Sequence, residues 1–120
     1  MATTIHHLRN RSKNNVMFVK LEDTNDNHYV EPGKHKDVGI WVPWCDSAGD
    51  FLKKVIIVTD FVRHEVLGYI YEHQGRIYLT KDGYQGAEPG YLLPGVGENV
   101  KDINLIFTDR NTIEGEPEND

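Results

Sequence analysis

The stretch from His64 to Lys81, HEVLGYIYEHQGRIYLTK, constrains the fold most, because it has the pattern of a β-hairpin. Two runs rich in Ile, Leu and Tyr flank Gln74-Gly75, a two-residue turn in which glycine can adopt a positive φ. The register predicted outward from this turn pairs His73 with Arg76, Glu72 with Ile77, Tyr71 with Tyr78 and Ile70 with Leu79.

The two faces of this hairpin differ in character, because side chains alternate across a strand. The face predicted to lie on the core carries Val66, Gly68, Ile70, Ile77 and Leu79. The opposite face, called the tyrosine face below, carries Leu67, Tyr69, Tyr71 and Tyr78. This second face needs either a covering layer or a ligand.

The rest of the chain has the same all-β character. Short apolar runs alternate with clusters of Asn, Asp, Gly and Pro, and helical periodicity is almost absent. We therefore expect an all-β protein, an antiparallel β-sandwich or jelly roll of about eight short strands. The candidate helix is a single turn after Asp46 or Ser47, either of which could cap it. The predicted strands are Thr3–Arg9, Val16–Glu22, His28–Glu31, Lys36–Trp44, Lys54–Thr59, His64–His73, Arg76–Lys81 and Asp102–Thr108.

The fourth predicted strand carries both tryptophans of the chain. Its alternation predicts that Trp44 is buried with Val38, Ile40 and Val42, and that Trp41 points away from the core. Pro43 cannot donate a ladder hydrogen bond, so this strand is expected to lie at an edge or to end there.

Charge is concentrated at the C-terminus of this 120-residue chain, whose net charge is −6. Four acidic residues fall within the last seven, so the remainder is nearly balanced. We therefore expect a single β-sandwich domain over residues 1–112 and an acidic, disordered tail over residues 113–120. Nucleic-acid binding through a broad basic surface is not expected. The local basic cluster of Arg9, Arg11 and Lys13 is interpreted as a solvated turn, with anion binding as the alternative.

Targeting and cofactor signals are few. No segment approaches the roughly 20 consecutive apolar residues that a membrane helix needs, and the start has no apolar run after a basic region. Neither a transmembrane segment nor a secretory signal is expected. Cys45 is the one cysteine, which excludes an intrachain disulfide and a multi-cysteine metal site. A free thiol fits a reducing, cytoplasmic setting, but the localisation stays open.

No transition-metal site is expected, and an irregular calcium site at Asp23–Asn27 is left open as an alternative to a plain turn. The segment from Asp23 to Asn27 resembles the start of a calcium loop, but His28 and Lys34 occupy the positions that require Gly and Glu, so a hairpin turn is predicted. Adjacent His6 and His7 should point to opposite faces of a strand, which makes a poor chelate. No zinc, iron, copper or other cofactor is therefore predicted.

Two family resemblances bear on the fold. The turns Glu31-Pro32-Gly33, Glu88-Pro89-Gly90 and Leu93-Pro94-Gly95 resemble those between the strands of cupin barrels, which implies a jelly roll. Cupins that bind metal carry a His-x-His pair, a Glu and a later His, whereas here Lys36-Asp37 follows His35 and no histidine follows His73. The rhythm of residues 10–23 is similar to that of aegerolysin-type sandwiches, and it carries no residue roles.

The aromatic surface is the strongest functional signal. Aromatic rings offer sugar rings or lipid headgroup regions a flat apolar surface with polar edges. The Gly- and Pro-rich loop over residues 83–99 is long enough to contribute to a site. We expect a small non-enzymatic binding protein, with lectin-like recognition of a carbohydrate or lipid through the hairpin. The predicted ligand-binding residues are Trp41, Tyr69, Tyr71, His73, Arg76, Tyr78 and Tyr91.

Two alternatives remain open at this point. In the first, the protein is a structural β-sandwich that forms a homodimer through an edge strand or the tyrosine face and binds no small ligand. In the second, less favoured one, it is a cupin-like enzyme or one that uses Cys45 as a nucleophile beside Asp46. No motif supplies the base or the oxyanion hole that the latter would need, so no catalytic residue is predicted.

Overall fold

A computed structural model describes residues 3–118, except for the side chain of Thr24. It confirms the expected all-β sandwich, with nine strands in two sheets. Sheet A has the order β4-β1-β8-β9, and sheet B has the order β3-β2-β5-β6-β7. All neighbouring strands are antiparallel except β1 and β8, which run parallel. The elements are β1 (Thr4–Asn10), β2 (Val16–Lys20), β3 (Asp23–Val30), β4 (His35–Trp41), α1 (Ala48–Lys54), β5 (Ile56–Asp60), β6 (Glu65–His73), β7 (Arg76–Thr80), a 3₁₀ helix (Pro89–Tyr91), β8 (Asp102–Phe107) and β9 (Ile113–Pro117).

The β6–β7 hairpin has the predicted register throughout, with Tyr71 opposite Tyr78. Its turn residues Gln74 and Gly75 have φ values of 51° and 79°, the combination that a type I′ turn requires. Such a turn matches the twist of the flanking strands, which explains why the register could be worked out from the sequence.

The facing of β6 differs from the prediction near its start. The register with β5 shifts between Val58 and Thr59, where an extra residue of β6 is accommodated. As a result Leu67 packs in the main core, and Val66, predicted to be a core residue, is exposed. A bulge of this kind reverses the facing of the residues beyond it and has no clear signal in the alternation.

Helix α1 begins where the sequence predicted a cap. Ser47 is the N-cap, and its Oγ accepts a hydrogen bond of 3.2 Å from the backbone N–H of Asp50. The helix continues to Lys54, longer than the single turn expected, because Phe51 is buried against sheet B. Tertiary packing thus outweighs the low helix propensity of Gly49.

The prediction that Trp44 is buried is wrong, since 56% of its surface is exposed. Strand β4 ends at Trp41, and the chain then crosses from sheet A to sheet B. There the N–H of Glu72 donates to Pro43 O at 2.8 Å, and the N–H of Cys45 donates to Glu72 O at 2.9 Å. The alternation of β4 therefore stops before Trp44.

The prediction of a disordered tail fails for residues 113–117. They form β9, paired with β8 from Ile103–Pro117 to Phe107–Ile113. Ile113 and Gly115 are buried, whereas Glu114 and Glu116 lie on the outer face, so this acidic segment has the alternation of an edge strand. The part of the predicted tail at residues 119–120 lies outside the described residues.

The turn predicted at Asp23–Asn27 is also wrong, because these residues belong to β3. The β2–β3 connection is tighter than expected: Lys20 already pairs with Asp23, leaving Leu21 and Glu22 as the turn. The described helices include none that is long and apolar enough to cross a membrane.

Candidate functional site

Two residues of the tyrosine face, Tyr71 and Tyr78, pack beneath α1 and the loop that follows β7. Tyr71 and Tyr78 stack with ring centroids 5.3 Å apart, and Phe51 of α1 meets Tyr71 edge-on at 5.8 Å. The two tyrosines are 0% and 1% exposed, so neither can contact a ligand in this conformation. Their predicted role as ligand-binding residues is therefore corrected: they form a second core layer between α1 and sheet B.

The hydroxyl of Tyr71 is fixed within this layer. It donates to Gly86 O at 3.0 Å and accepts from the N–H of Gln85 at 3.3 Å. Burial raises the pKa of Tyr71 to about 12, so the phenol is neutral at physiological pH. The Gly83–Asn99 loop thus anchors itself on the hairpin through its backbone.

The other hairpin residues do not form one surface. His73 Nδ1 lies 2.8 Å from Cys45 O and 3.2 Å from Asp46 Oδ1, and Arg76 forms an ion pair with Glu98. Tyr91 is partly exposed on the 3₁₀ helix. None of these residues is brought beside Trp41, which lies on sheet A.

Cys45 is poorly suited to nucleophilic chemistry. Burial, with the Asp50 carboxylate as a further cause, raises the pKa of the thiol to about 11. The thiol is therefore protonated at neutral pH, and it packs in the second core layer.

Tyr69 stands apart from the other two tyrosines because it lines an open groove beside α1. The groove has a volume of about 400 Å³, and its walls are mostly apolar. Leu52, 74% exposed, forms part of its rim on the helix side, and Lys81 and Asp82 supply the polar groups.

The outer face of sheet A presents the most exposed aromatic side chain of the two sheets. Trp41 is 65% exposed on the edge strand β4. Its partner on β1 is Thr4, whose own partner on β8 is Asp102, so the three residues lie in one row across the sheet. Gly39 precedes Trp41 on the same face, and the space where its side chain would stand is open. The surface formed by Trp41, Thr4, Asp102 and Gly39 is called the Trp41 row below.

A bulge in β1 adds a histidine to this face. Ile5 and Leu8 are both fully buried although they are three residues apart, and the register with β4 and β8 shifts between Ile5 and His7. His6 and His7 therefore both reach the outer face, where alternation predicted one on each side. His6 Nε2 lies 2.7 Å from Asp102 Oδ1, which fixes that carboxylate beside Thr4.

Further along this face, a histidine and an arginine lie beside carboxylates. His7 lies between two carboxylates, with Nδ1 2.7 Å from Asp37 and Nε2 2.8 Å from Glu118. Arg9 lies 3.6 Å from Glu116. Within residues 3–118 no group of three His, Cys, Asp or Glu side chains is arranged to hold a metal ion.

The outer face of sheet B has its own exposed aromatic cluster. Tyr29 and Phe61 meet edge-on at 5.4 Å, and His64 lies 6.1 Å from Phe61. Tyr29 also borders a pocket of about 280 Å³ together with Glu31 and Lys36, whereas Phe61 and His64 are not among its lining residues. The Tyr29–Phe61 pair therefore offers an apolar contact patch at the edge of that pocket.

Sequence reasoning identified Trp41 but missed its neighbours. Thr4 and Asp102 are 98 positions apart and meet only through the parallel pairing of β1 and β8.

Comparisons with protein-family models, with curated proteins and with solved structures found no match at the level of significance required.

Proposed function

We propose that this protein is a non-enzymatic glycan-binding protein and that the Trp41 row is its binding surface. The observation that carries the proposal is the exposure of Trp41 on the outer face of an edge strand, beside the open space at Gly39. An indole in this position can stack against the apolar C–H face of a sugar ring.

Polar groups for the sugar hydroxyls stand next to the indole. Thr4 can donate or accept a hydrogen bond, and the Asp102 carboxylate accepts two or more. Because His6 already holds one oxygen of Asp102, the carboxylate is oriented before a ligand arrives. An aromatic platform with preoriented polar neighbours is the arrangement expected of a carbohydrate site.

The test compares the two tryptophans, since Trp44 is similarly exposed but lies outside sheet A. Trp41→Ala should lower retention on a glycan array by at least about tenfold, whereas Trp44→Ala should leave it unchanged. Both substitutions should change the free energy of unfolding by less than about 1 kcal/mol, because each removes a surface side chain. Equal losses for the two variants would contradict the proposal.

Tryptophan fluorescence tests the role of Trp41 directly. The chain has two tryptophans, so Trp44→Phe leaves Trp41 as the sole indole. Its emission should shift to shorter wavelength on addition of a bound oligosaccharide, because stacking removes water from the ring. Light scattering on the same samples provides the control: a dimer that Trp41→Ala converts to a monomer would identify Trp41 as an interface residue instead.

A second candidate function is supported by the groove beside α1, whose size and apolar walls suit a small apolar or lipid-derived ligand. Displacement of a fluorescent fatty acid would test it. Leu52→Glu, at the exposed rim, should abolish binding there and leave glycan retention intact.

A further inference from the structure

A basic concavity lies at the other end of the same face of sheet A. It has a volume of about 440 Å³ and is lined by the cationic side chains Arg9, Arg11 and Lys34, together with His7 and His35. No carboxylate is among its lining residues. The chain as a whole is acidic, so this concentration of positive charge is local.

Two of its cations are free to bind a ligand. Arg9 is engaged with Glu116 at 3.6 Å, and His35 lies 3.8 Å from Asp37. Arg11 and Lys34, by contrast, form no ion pair with any carboxylate in the described part of the chain. The sequence had grouped Arg11 with Lys13, but the fold places Lys34 beside it instead.

Backbone hydrogen bonds hold the walls of this basic pocket in place. Gly33 has a φ of +74°, and its N–H donates to Asn10 O at 2.8 Å. The N–H of Asn10 donates to Lys34 O at 2.9 Å, and the N–H of Arg11 donates to Phe107 O at 2.8 Å. The turn before β4 is thus tied to the end of β1, so the pocket is formed before any ligand binds.

We propose that this pocket binds an oxyanion group, a sulfate ester or a carboxylate, carried by the same glycan that stacks on Trp41, an inference that rests on the proposed function. Guanidinium groups bind such oxyanions with paired hydrogen bonds. His35 pairs with Arg9 and shares the outer face with Trp41, six residues along β4. At roughly 3.4 Å per residue the two sites are about 20 Å apart, a span that calls for an acidic oligosaccharide.

The first experiment measures the anion site without a glycan. Sodium sulfate and sodium acetate are titrated at constant ionic strength while backbone amide resonances are recorded. Saturable shifts confined to Arg11, Gly33 and Lys34 are expected, and they should vanish in the double variant Arg11→Gln/Lys34→Gln. Shifts that do not saturate, or that are scattered over the surface, would overturn the anion site.

The second experiment compares a sulfated oligosaccharide with its desulfated form. The sulfated form should bind at least about tenfold more tightly to the wild type, and Arg11→Gln/Lys34→Gln should remove that difference. The matched control Arg63→Gln/Lys53→Gln makes the same change in net charge at exposed positions outside the pocket, and it should keep the preference for the sulfated form. Inorganic sulfate should compete with the sulfated oligosaccharide for the pocket. If inorganic phosphate competes and sulfate does not, the assignment of a sulfate ester or carboxylate as the bound group is overturned.

The two proposals fail in distinguishable ways. If both oligosaccharides bind equally and Trp41→Ala abolishes both, the anionic assignment is wrong and the glycan function stands. If sulfate binds in the pocket but neither oligosaccharide binds, the glycan assignment is wrong for both sites.

Discussion

Replacing Tyr71 with alanine is expected to lower the free energy of unfolding by about 3–5 kcal/mol, because it removes a fully buried ring. The ring stacks on Tyr78 and meets Phe51, so its loss leaves a cavity between α1 and sheet B. Urea unfolding followed by circular dichroism provides the measurement.

Two further variants in this second core layer separate the contribution of the Tyr71 ring to stability from that of its hydroxyl group and from that of Tyr69. Tyr71→Phe keeps the ring and loses only the hydrogen bonds to Gly86 and Gln85, so a cost of about 1 kcal/mol is expected. Tyr69→Ala, at the half-buried edge of the layer, should cost less than Tyr71→Ala. Equal costs for Tyr69→Ala and Tyr71→Ala would mean that α1 does not cover the hairpin as described.

Gly95→Ala is expected to be at least as damaging, with a loss of more than about 3 kcal/mol, because it combines backbone strain with a collision. Gly95 has a φ of +88°, and a Cβ there would lie 2.0 Å from Gly115 O. Gly115 cannot retreat easily, since its N–H donates to Pro94 O at 2.8 Å and its own Cα is closely covered by Leu93 and Val96.

The control lies two residues away in the same loop. Gly97 has no positive φ, and nothing lies within 4 Å of the position that its Cβ would take. Gly97→Ala should therefore change stability by less than about 0.5 kcal/mol. Amide hydrogen exchange should show that Gly95→Ala weakens the protection of β9 in particular. Unchanged protection there would contradict the packing of Gly95 against Gly115.

Local rules predicted the parts of the fold that depend on neighbours in sequence. The Gln74-Gly75 turn sets the hairpin register, and Ser47 caps α1, because turns and caps are determined by a few adjacent residues. Composition alone was misleading at residues 113–117. Their glutamates indicated disorder, yet Glu114 and Glu116 pair with β8 and alternate with the buried residues Ile113 and Gly115.

Most of the candidate site depended on contacts that no local pattern encodes. The exposure of Trp41 followed from alternation, but the burial of Tyr71 depends on a helix twenty residues earlier in the chain. The bulge that turns both His6 and His7 outward interrupts the alternation on which their predicted facing depended. Lys34 joins Arg11 only because the Pro32-Gly33 turn is bonded to the end of β1.

The topology of sheet A has a consequence for the order of assembly. All strands of sheet B lie between Val16 and Thr80, a stretch that also contains β4 of sheet A, so sheet B can complete its pairing once these residues have been synthesised. Sheet A instead places β1 between β4 and β8, and Asp102 of β8 lies 98 positions beyond its partner Thr4. Because pairing between such distant residues forms slowly and late, one edge of β1 stays unpaired through most of translation. Asp102 reaches the Trp41 row only when β8 docks, so the proposed ligand surface is among the last parts of the protein to form.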